Sequence, residues 1–216
     1  MINYKNYFKD FSTATMDIEG MTHPIKDIYL KSEEDFLTQS IKLAKVLTGK
    51  FKETILIFLT SAAELKKACK AIDSNCYELH KGTPTQIKET LASKDESKII
   101  FSTNVAESGI TLKDIKHVID CGRSYKSKFN PEEEMYELKM EFISKAEILQ
   151  RRGRTGRTSP GTCYHLYTEE EYKNFNDYKV AEILTEDISD ILLQLIGRGI
   201  DLSILDELPD PPTKHY

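Results

Sequence analysis

The stretch "TILIFLTSAAELKKACKAI", Thr54 to Ile72, changes its pattern in the middle. Thr54 to Thr60 is a continuous apolar run, and a strand without polar alternation is one covered on both faces. From Ser61 onward the segment reads as a helix. A strand that is buried on both sides and leads directly into a helix belongs to an alternating α/β chain, where helices cover both faces of a mostly parallel sheet.

Working outward, the same alternation repeats. "KDIYL" (Lys26 to Leu30), "KIIFST" (Lys98 to Thr103), "HVID" (His117 to Asp120) and "TCYHLYT" (Thr162 to Thr168) read as further strands. "SEEDFLTQSIKLAKVL" reads as a helix, with Ser32 as its cap, Glu33 and Glu34 in the first turn, and Leu37, Ile41 and Ala44 on one face. Ligands of such sheets sit beyond the carboxyl ends of the strands. That places "STNVAES" and an arginine-rich stretch after Gln150 near one another.

Two segments interrupt the pattern. Arg123 to Phe142 has two strand-like arms around "NPEE", a turn signal, and reads as a β-hairpin. Near the end Thr185 reads as a helix cap, followed by an apolar stripe of Ile188, Ile191, Leu192, Leu195 and Ile196 that Gly197 and Gly199 stop. The expected organisation is therefore one α/β domain over 1–182 and a helical extension over 183–216.

Composition sets limits on function. The chain has 216 residues, 39% hydrophobic and 30% charged, with 30 Lys+Arg against 35 Asp+Glu. That balance argues against a protein coated in nucleic acid but allows one local basic track. No apolar run has the length of a membrane span, and the first residues lack the apolar core of a signal peptide. An intracellular location, cytoplasmic or nuclear, is expected. Cys69, Cys76, Cys121 and Cys163 show no CxxC pair and no matching histidine spacing, so they read as reduced core residues and no metal site is expected.

Against this acidic background, "QRRGRTGR" (Gln150 to Arg157) concentrates four arginines among two glycines. Arginine offers a rigid fork of donors matched to phosphate oxygens. The rest of a nucleotide site is missing. The one Gly-Lys pair, Gly49–Lys50, has Ala44 and Phe51 where a phosphate-binding loop needs glycine and a hydroxyl. No Asp-Glu pair follows an apolar strand to hold Mg²⁺. The chain reads as half of a site.

"QRRGRTGR" fits motif VI (QRxGRxGR) of superfamily 2 helicases, and "STNVAESGIT" closely resembles motif V of the DEAH-box branch. "TILIFLTSAAEL" resembles motif IV. "STATM" (Ser12 to Met16) mimics motif III but stands too close to "THPI", and it reads as the strand after that motif. The chain thus resembles the second RecA-like domain of a DEAH-type RNA helicase, with poxvirus- and flavivirus-type helicases as close relatives. The resemblance implies ATP with Mg²⁺ bound mainly by a first RecA-like domain, RNA as partner, and hydrolysis coupled to 3′–5′ translocation and unwinding. Gln150, Arg154 and Arg157 match positions that face the nucleotide, with Gly153, Ser108 and Gly109 beside it. Thr103 and Asn104 match nucleic-acid contacts, with Thr60 and Ser61 as weaker candidates, Thr111 reading equally well as a phosphate contact or a helix start, and Lys126 joining them on the hairpin. Arg151 and Arg152 read equally well as ion-pair partners or surface charges and as phosphate ligands, and Glu107 as an organiser of its loop.

Several positions depart from the family pattern. Gly109 replaces a hydroxyl tied to sensing the terminal phosphate, Lys113 displaces an acid to Asp114, and an aromatic expected to stack on a base falls at Leu91. Gly109 and Leu91 are what support a competing reading, an inactive helicase-like module that only binds RNA or protein. The hairpin, with Arg123, Lys126 and Lys128 on one arm and Glu132 to Glu134 at its turn, reads as a strand-separating wedge or as a packing element.

Overall fold

The structure, a computed structural model, describes residues 7–14, 16, 23–30, 34–72, 75–93, 96–108, 110–130 and 132–212. Eight strands and seven helices are found among them. The strands are β1 (Ile25–Tyr29), β2 (Thr54–Phe58), β3 (Cys76–Leu79), β4 (Ile99–Ser102), β5 (Ile115–Asp120), β6 (Arg123–Asn130), β7 (Met135–Phe142) and β8 (Gly161–His165). The helices are α1 (Phe36–Lys50), α2 (Ala62–Lys70), α3 (Thr85–Ala92), α4 (Val105–Ser108), α5 (Lys145–Arg152), α6 (Glu169–Lys173) and α7 (Ser189–Gly197).

Six strands form one sheet in the order β1-β8-β5-β2-β4-β3, and every pairing in it is parallel. This is a RecA-like α/β fold. Side chains of β2 alternate between the two faces, as a period of two requires. Ile55 and Ile57 join Phe101 and Ile119 in a core against Leu37, Ala44 and Leu47 of α1 and Leu65 and Ala68 of α2. Leu56 and Phe58 enter the opposite core with Ile100, Val118, Leu79 and Leu91. The apolar run is continuous because both sides of the strand are interior.

Caps explain where the helices start. The expected cap of α1, Ser32, lies outside the described residues; the Asp35 carboxylate caps it instead, accepting from the backbone N–H of Leu37 at 3.1 Å and of Thr38 at 3.0 Å. Ser144 and Glu147 form a reciprocal capping box at α5. Thr185 does not cap α7. It closes the 3₁₀ turn Glu182–Leu184, and α7 begins at Ser189, whose N–H bonds Asp187 Oδ1 at 2.9 Å. Ser12, Thr13, Ala14 and Met16 are outside any strand, and Thr15 lies outside the described residues.

The chain divides into two compact units. One comprises residues 21–125 and 140–177; the other comprises 1–20, 126–139 and 178–216. In the second, the hairpin tip is tied to the chain near Thr185: Phe129 N–H donates to Thr185 O at 2.8 Å, and Asp187 N–H donates to the Tyr136 hydroxyl at 3.2 Å. Lys126 belongs to this unit.

The cysteines correct the expectation of four reduced thiols. Cys69 and Cys76 form a disulfide, with Cα atoms 5.6 Å apart, that joins the end of α2 to the start of β3. The short α2–β3 connection brings them together, a pairing that no short spacing rule captures. Cys121 and Cys163 are free and buried; burial pushes the Cys121 thiol up to about 11. Replacing Cys69 and Cys76 by serine should cost about 2–3 kcal/mol by loosening the constraint on the unfolded chain. A lower urea midpoint with an unchanged circular dichroism spectrum is the expected readout.

Candidate functional site

The carboxyl ends of β2, β4 and β3 lie side by side. Phe58 and Leu79 both stand opposite Ser102. The ladders continue one step further, through Leu59 N–H to Ser102 O at 2.9 Å and Thr103 N–H to Leu79 O at 3.1 Å. Thr60, Ser61, Thr103 and Asn104 therefore gather at one edge, from two strands adjacent in the sheet but about 40 residues apart in sequence.

Their chemistry differs. Thr60 is buried, and its N–H and hydroxyl both bond Glu64 Oε2, at 2.9 and 2.6 Å. Ser61 caps α2, its Oγ accepting from Glu64 N–H at 3.4 Å. Both hydroxyls thus serve the start of α2. Asn104 is exposed and Thr103 is half-buried. Sequence reasoning missed the neighbouring loop His80–Thr83. There Gly82 N–H donates to His80 Nδ1 at 3.1 Å and Thr83 Oγ1 accepts from His80 N–H at 2.8 Å. A parallel β3 beside β4 was the missing link.

Leu91 requires a correction. It is 2% exposed in the core beside Leu56 and Leu79, so it occupies no base-stacking position. Ser108 and Thr111 are exposed, and Gly109 lies outside the described residues.

The arginines separate into distinct roles. Arg151 is fully buried: its Nε donates to Glu107 Oε1 at 2.7 Å and its Nη1 to Asp120 Oδ1 at 2.8 Å, with the guanidinium 4.8 Å above the Phe58 ring. Burial pulls its pKa down, but Asp120 and then Glu107 outweigh that, and the net shift is upward. For Glu107 burial dominates and raises the carboxyl, with Arg151 offsetting part of it. Arg152 grips Asp27 with Nε and Nη2, at 2.8 to 3.0 Å. Both residues are ion-pair partners here. An acid that ends a fully buried strand, as Asp120 does, must find a cation, and that was the readable signal.

Arg154 is also buried. Its Nη1 donates to Ile110 O at 3.0 Å and its Nη2 to Glu107 O, while its buried Nε–H has no partner. Arg157 and Gln150 are exposed, and Arg157 Nε donates to Gly153 O at 2.9 Å. Gly156 fixes the turn that carries the arginines. It has φ +72°, and a Cβ there would stand 2.5 Å from Ile25 Cγ1 and 3.0 Å from His23 O. Gly153 has ordinary helical φ and no such demand. Asp114 (φ 55°) accepts from the Thr158 hydroxyl at 3.1 Å, tying the end of this loop to the segment before β5.

Asp27, Cys163 and His165 bring potential ligand atoms within 4.8 Å of one another. Arg152 already occupies both Asp27 oxygens. His165 Nε2 bonds Asp27 at 3.0 Å and Nδ1 bonds the Tyr167 hydroxyl at 2.8 Å. The group is a hydrogen-bonded network whose anion is neutralised by arginine. A cavity of about 530 Å³ opens past β1 and β8, with four acids, Glu34, Asp35, Glu170 and Glu171, and one cation, Arg123, in its lining. Among the described residues no helix is long and apolar enough to cross a membrane.

Residues 38–159 match the helicase conserved C-terminal domain. The chain is 34% identical to the ATP-dependent RNA helicase HrpA of Borreliella burgdorferi, over 98% of this chain and 28% of that protein. It is 30% identical to the ATP-dependent RNA helicase DHX33 of Mus musculus, over 98% of this chain and 33% of that one. Among solved structures, the DEAH/RHA helicase HrpB of Escherichia coli superposes with a TM-score of 0.81 at 24% identity, covering 90% of this chain and 26% of that one. The chain thus spans about a third of the curated relatives it matches. With strands β2 to β5, the arginine turn and the loop it grips all in the matched stretch, the chain belongs to the helicase conserved C-terminal domain family.

Proposed function

We propose that this chain is the second motor domain of an ATP-dependent RNA helicase of the DEAH type, in which hydrolysis drives 3′–5′ translocation and duplex unwinding. One observation carries the reading. The turn after α5 presents Arg157 to solvent, while Arg154 of the same turn is hydrogen-bonded to the loop that follows Thr103 and Asn104. In this reading the group assigned to the nucleotide touches the loop assigned to the nucleic acid.

Arg157 and Arg154 would stabilise charge on the terminal phosphate of ATP, with Gln150 orienting the attacking water and Gly153 and Ser108 nearby. The unpartnered Nε–H of Arg154 fits an incoming anion. Mg²⁺ fits less well, because Glu107 and Asp120 are already paired with Arg151. The triphosphate cradle and the metal ligands are assigned to a first RecA-like domain of the same protein. Thr103 and Asn104 hold the RNA backbone, with Thr111 as a further contact on the same unit; the hydroxyls of Thr60 and Ser61 are taken by the start of α2. The reading keeps the domain boundary at residue 182, five residues beyond the end of the larger compact unit at Asp177. The inactive-module reading loses one of its two supports, since Leu91 is a core residue.

Two measurements test this. The purified chain should show no Mg²⁺-dependent ATP turnover; robust turnover would sink the half-site reading. In the full-length protein, Thr103→Ala combined with Asn104→Ala should weaken single-stranded RNA binding about tenfold or more, the loss of hydrogen bonds to charged phosphates. Unchanged affinity would move the RNA track elsewhere.

A further inference from the structure

The segment between α5 and β8 carries two adjacent hydroxyls in opposite electrostatic settings. The Thr158 hydroxyl donates to Asp114 Oδ1 at 3.1 Å, so it already faces a carboxylate. The Ser159 Oγ instead accepts from Lys116 Nζ, at the start of β5. Lys116 is half-buried, and no carboxylate among the described residues forms a salt bridge with it. An ammonium held against a neutral hydroxyl makes a weaker bond than one held against an anion. The pair Lys116–Ser159 is therefore a cation in contact with an oxygen that can acquire negative charge.

Ser159 also stands where a modifying enzyme reaches it. Residues 155–160 lie outside helix and strand, and Arg157, Thr158 and Pro160 are exposed around the half-buried Ser159. Pro160 follows the hydroxyl directly. Proline has a fixed φ and no N–H, and one class of serine/threonine kinases selects its acceptor by the proline that comes next.

We propose that Ser159 is a phosphorylation site for a proline-directed serine/threonine kinase, with Lys116 as the cation that holds the phosphate and Arg157 as the residue the phosphate draws away from ATP hydrolysis. The part concerning Arg157 rests on the function proposed above. In the transfer, a bond forms between Ser159 Oγ and the γ-phosphorus of ATP as the bond from that phosphorus to the β,γ-bridging oxygen breaks. ADP leaves, and the hydroxyl proton passes to the kinase's base. The new group carries a charge of about −1.5 to −2 and three acceptor oxygens. Lys116 Nζ, already in contact with Oγ, then meets an anion. Arg157 stands two residues away, a backbone span of at most about 7 Å. Its Nε holds a neutral carbonyl, Gly153 O, at 2.9 Å. Phosphate is the stronger acceptor, so the guanidinium turns to it. The same group on Thr158 would meet the Asp114 carboxylate and be repelled, which makes Ser159 the acceptor of the two.

The test treats the full-length protein with ATP and a proline-directed kinase, and locates the phosphate by mass spectrometry of the fragment containing Thr158 and Ser159. Phosphate is expected on Ser159 and not on Thr158, with none on this fragment in Ser159→Ala. After removal of the kinase, kcat for ATP hydrolysis of the phosphorylated protein should lie at least about tenfold below that of the unmodified protein, a part of the ~10³–10⁵ that such an arginine supplies. Kinase-treated Ser159→Ala should keep its rate. The Lys116 contact is read by thermal melts: phosphorylation should raise Tm by about 1–4 °C more in the wild type than in Lys116→Gln. No phosphate on Ser159 overturns the inference. Phosphate with an unaltered kcat overturns the competition for Arg157, and equal shifts in the two proteins overturn the role of Lys116. Should the unmodified full-length protein hydrolyse no ATP, the proposed function fails instead, and the mass and melting measurements still decide Ser159 and Lys116.

Discussion

Arg157→Ala should lower kcat for ATP hydrolysis of the full-length protein by a factor of about 10³ or more, with RNA affinity nearly unchanged. Arginines supplied to a transferring phosphoryl group are worth ~10³–10⁵ in rate, because they meet charge that develops as the bond breaks. Under the proposed function Arg157 takes that role. It is exposed, and its Nε bond to Gly153 O steadies the stem of the side chain. Losing it removes little packing, so stability should hold. The loss should appear in kcat and kcat/KM together, the signature of an interaction made in the transition state. A variant with normal kcat and weakened RNA binding would put Arg157 on the nucleic-acid track instead.

Arg151→Met should act in the opposite manner, on the fold before the chemistry. It leaves Asp120, fully buried, and Glu107, largely buried, with no cation between them. Breaking a buried pair by removing one partner costs about 3–5 kcal/mol. For a domain of this size that is a fall in melting temperature on the order of 10 °C. The deficit should depend on pH. Burial already raises the Glu107 carboxyl, and without the guanidinium its folded pKa rises further above the unfolded value. A raised pKa gives stability that is lost as pH rises through it. The gap between Arg151→Met and wild type should therefore widen from about pH 5 to about pH 8, read by thermal melts across that range. A constant gap would mean that packing against Phe58, not charge, is what Arg151 contributes.

Arg151 and Arg157 stand in one motif, and their chemistry diverges completely. Spacing in "QRRGRTGR" shows that guanidinium groups are concentrated; it does not show which of them are satisfied internally. That depends on Asp120 and Glu107, which reach Arg151 only because β5, α4 and α5 converge. Likewise, nothing local announces that Cys69 and Cys76 meet, or that His80 to Thr83 lies beside Thr103.

What the sequence determined by itself is the layering. An unbroken apolar run such as Thr54 to Thr60 has no face to give to water, so it must lie inside a sheet covered twice, and the alternation with helices makes that sheet parallel. The hairpin around "NPEE" and the arginine motif were equally local, since turn chemistry and charge density are carried by neighbouring residues. The tertiary structure alone decided strand order, and with it every relation between distant segments. Leu91 became core rather than contact because α3 packs its side chain among Leu56, Leu79 and Ile100. Thr60 and Ser61 turned their hydroxyls to the start of α2, Thr60 donating to the Glu64 carboxylate and Ser61 accepting from the Glu64 N–H that the helix start leaves unpaired. The loop after Thr103 acquired its two grips because a motif separation of about 44 residues collapses to hydrogen-bond distance only in the folded sheet.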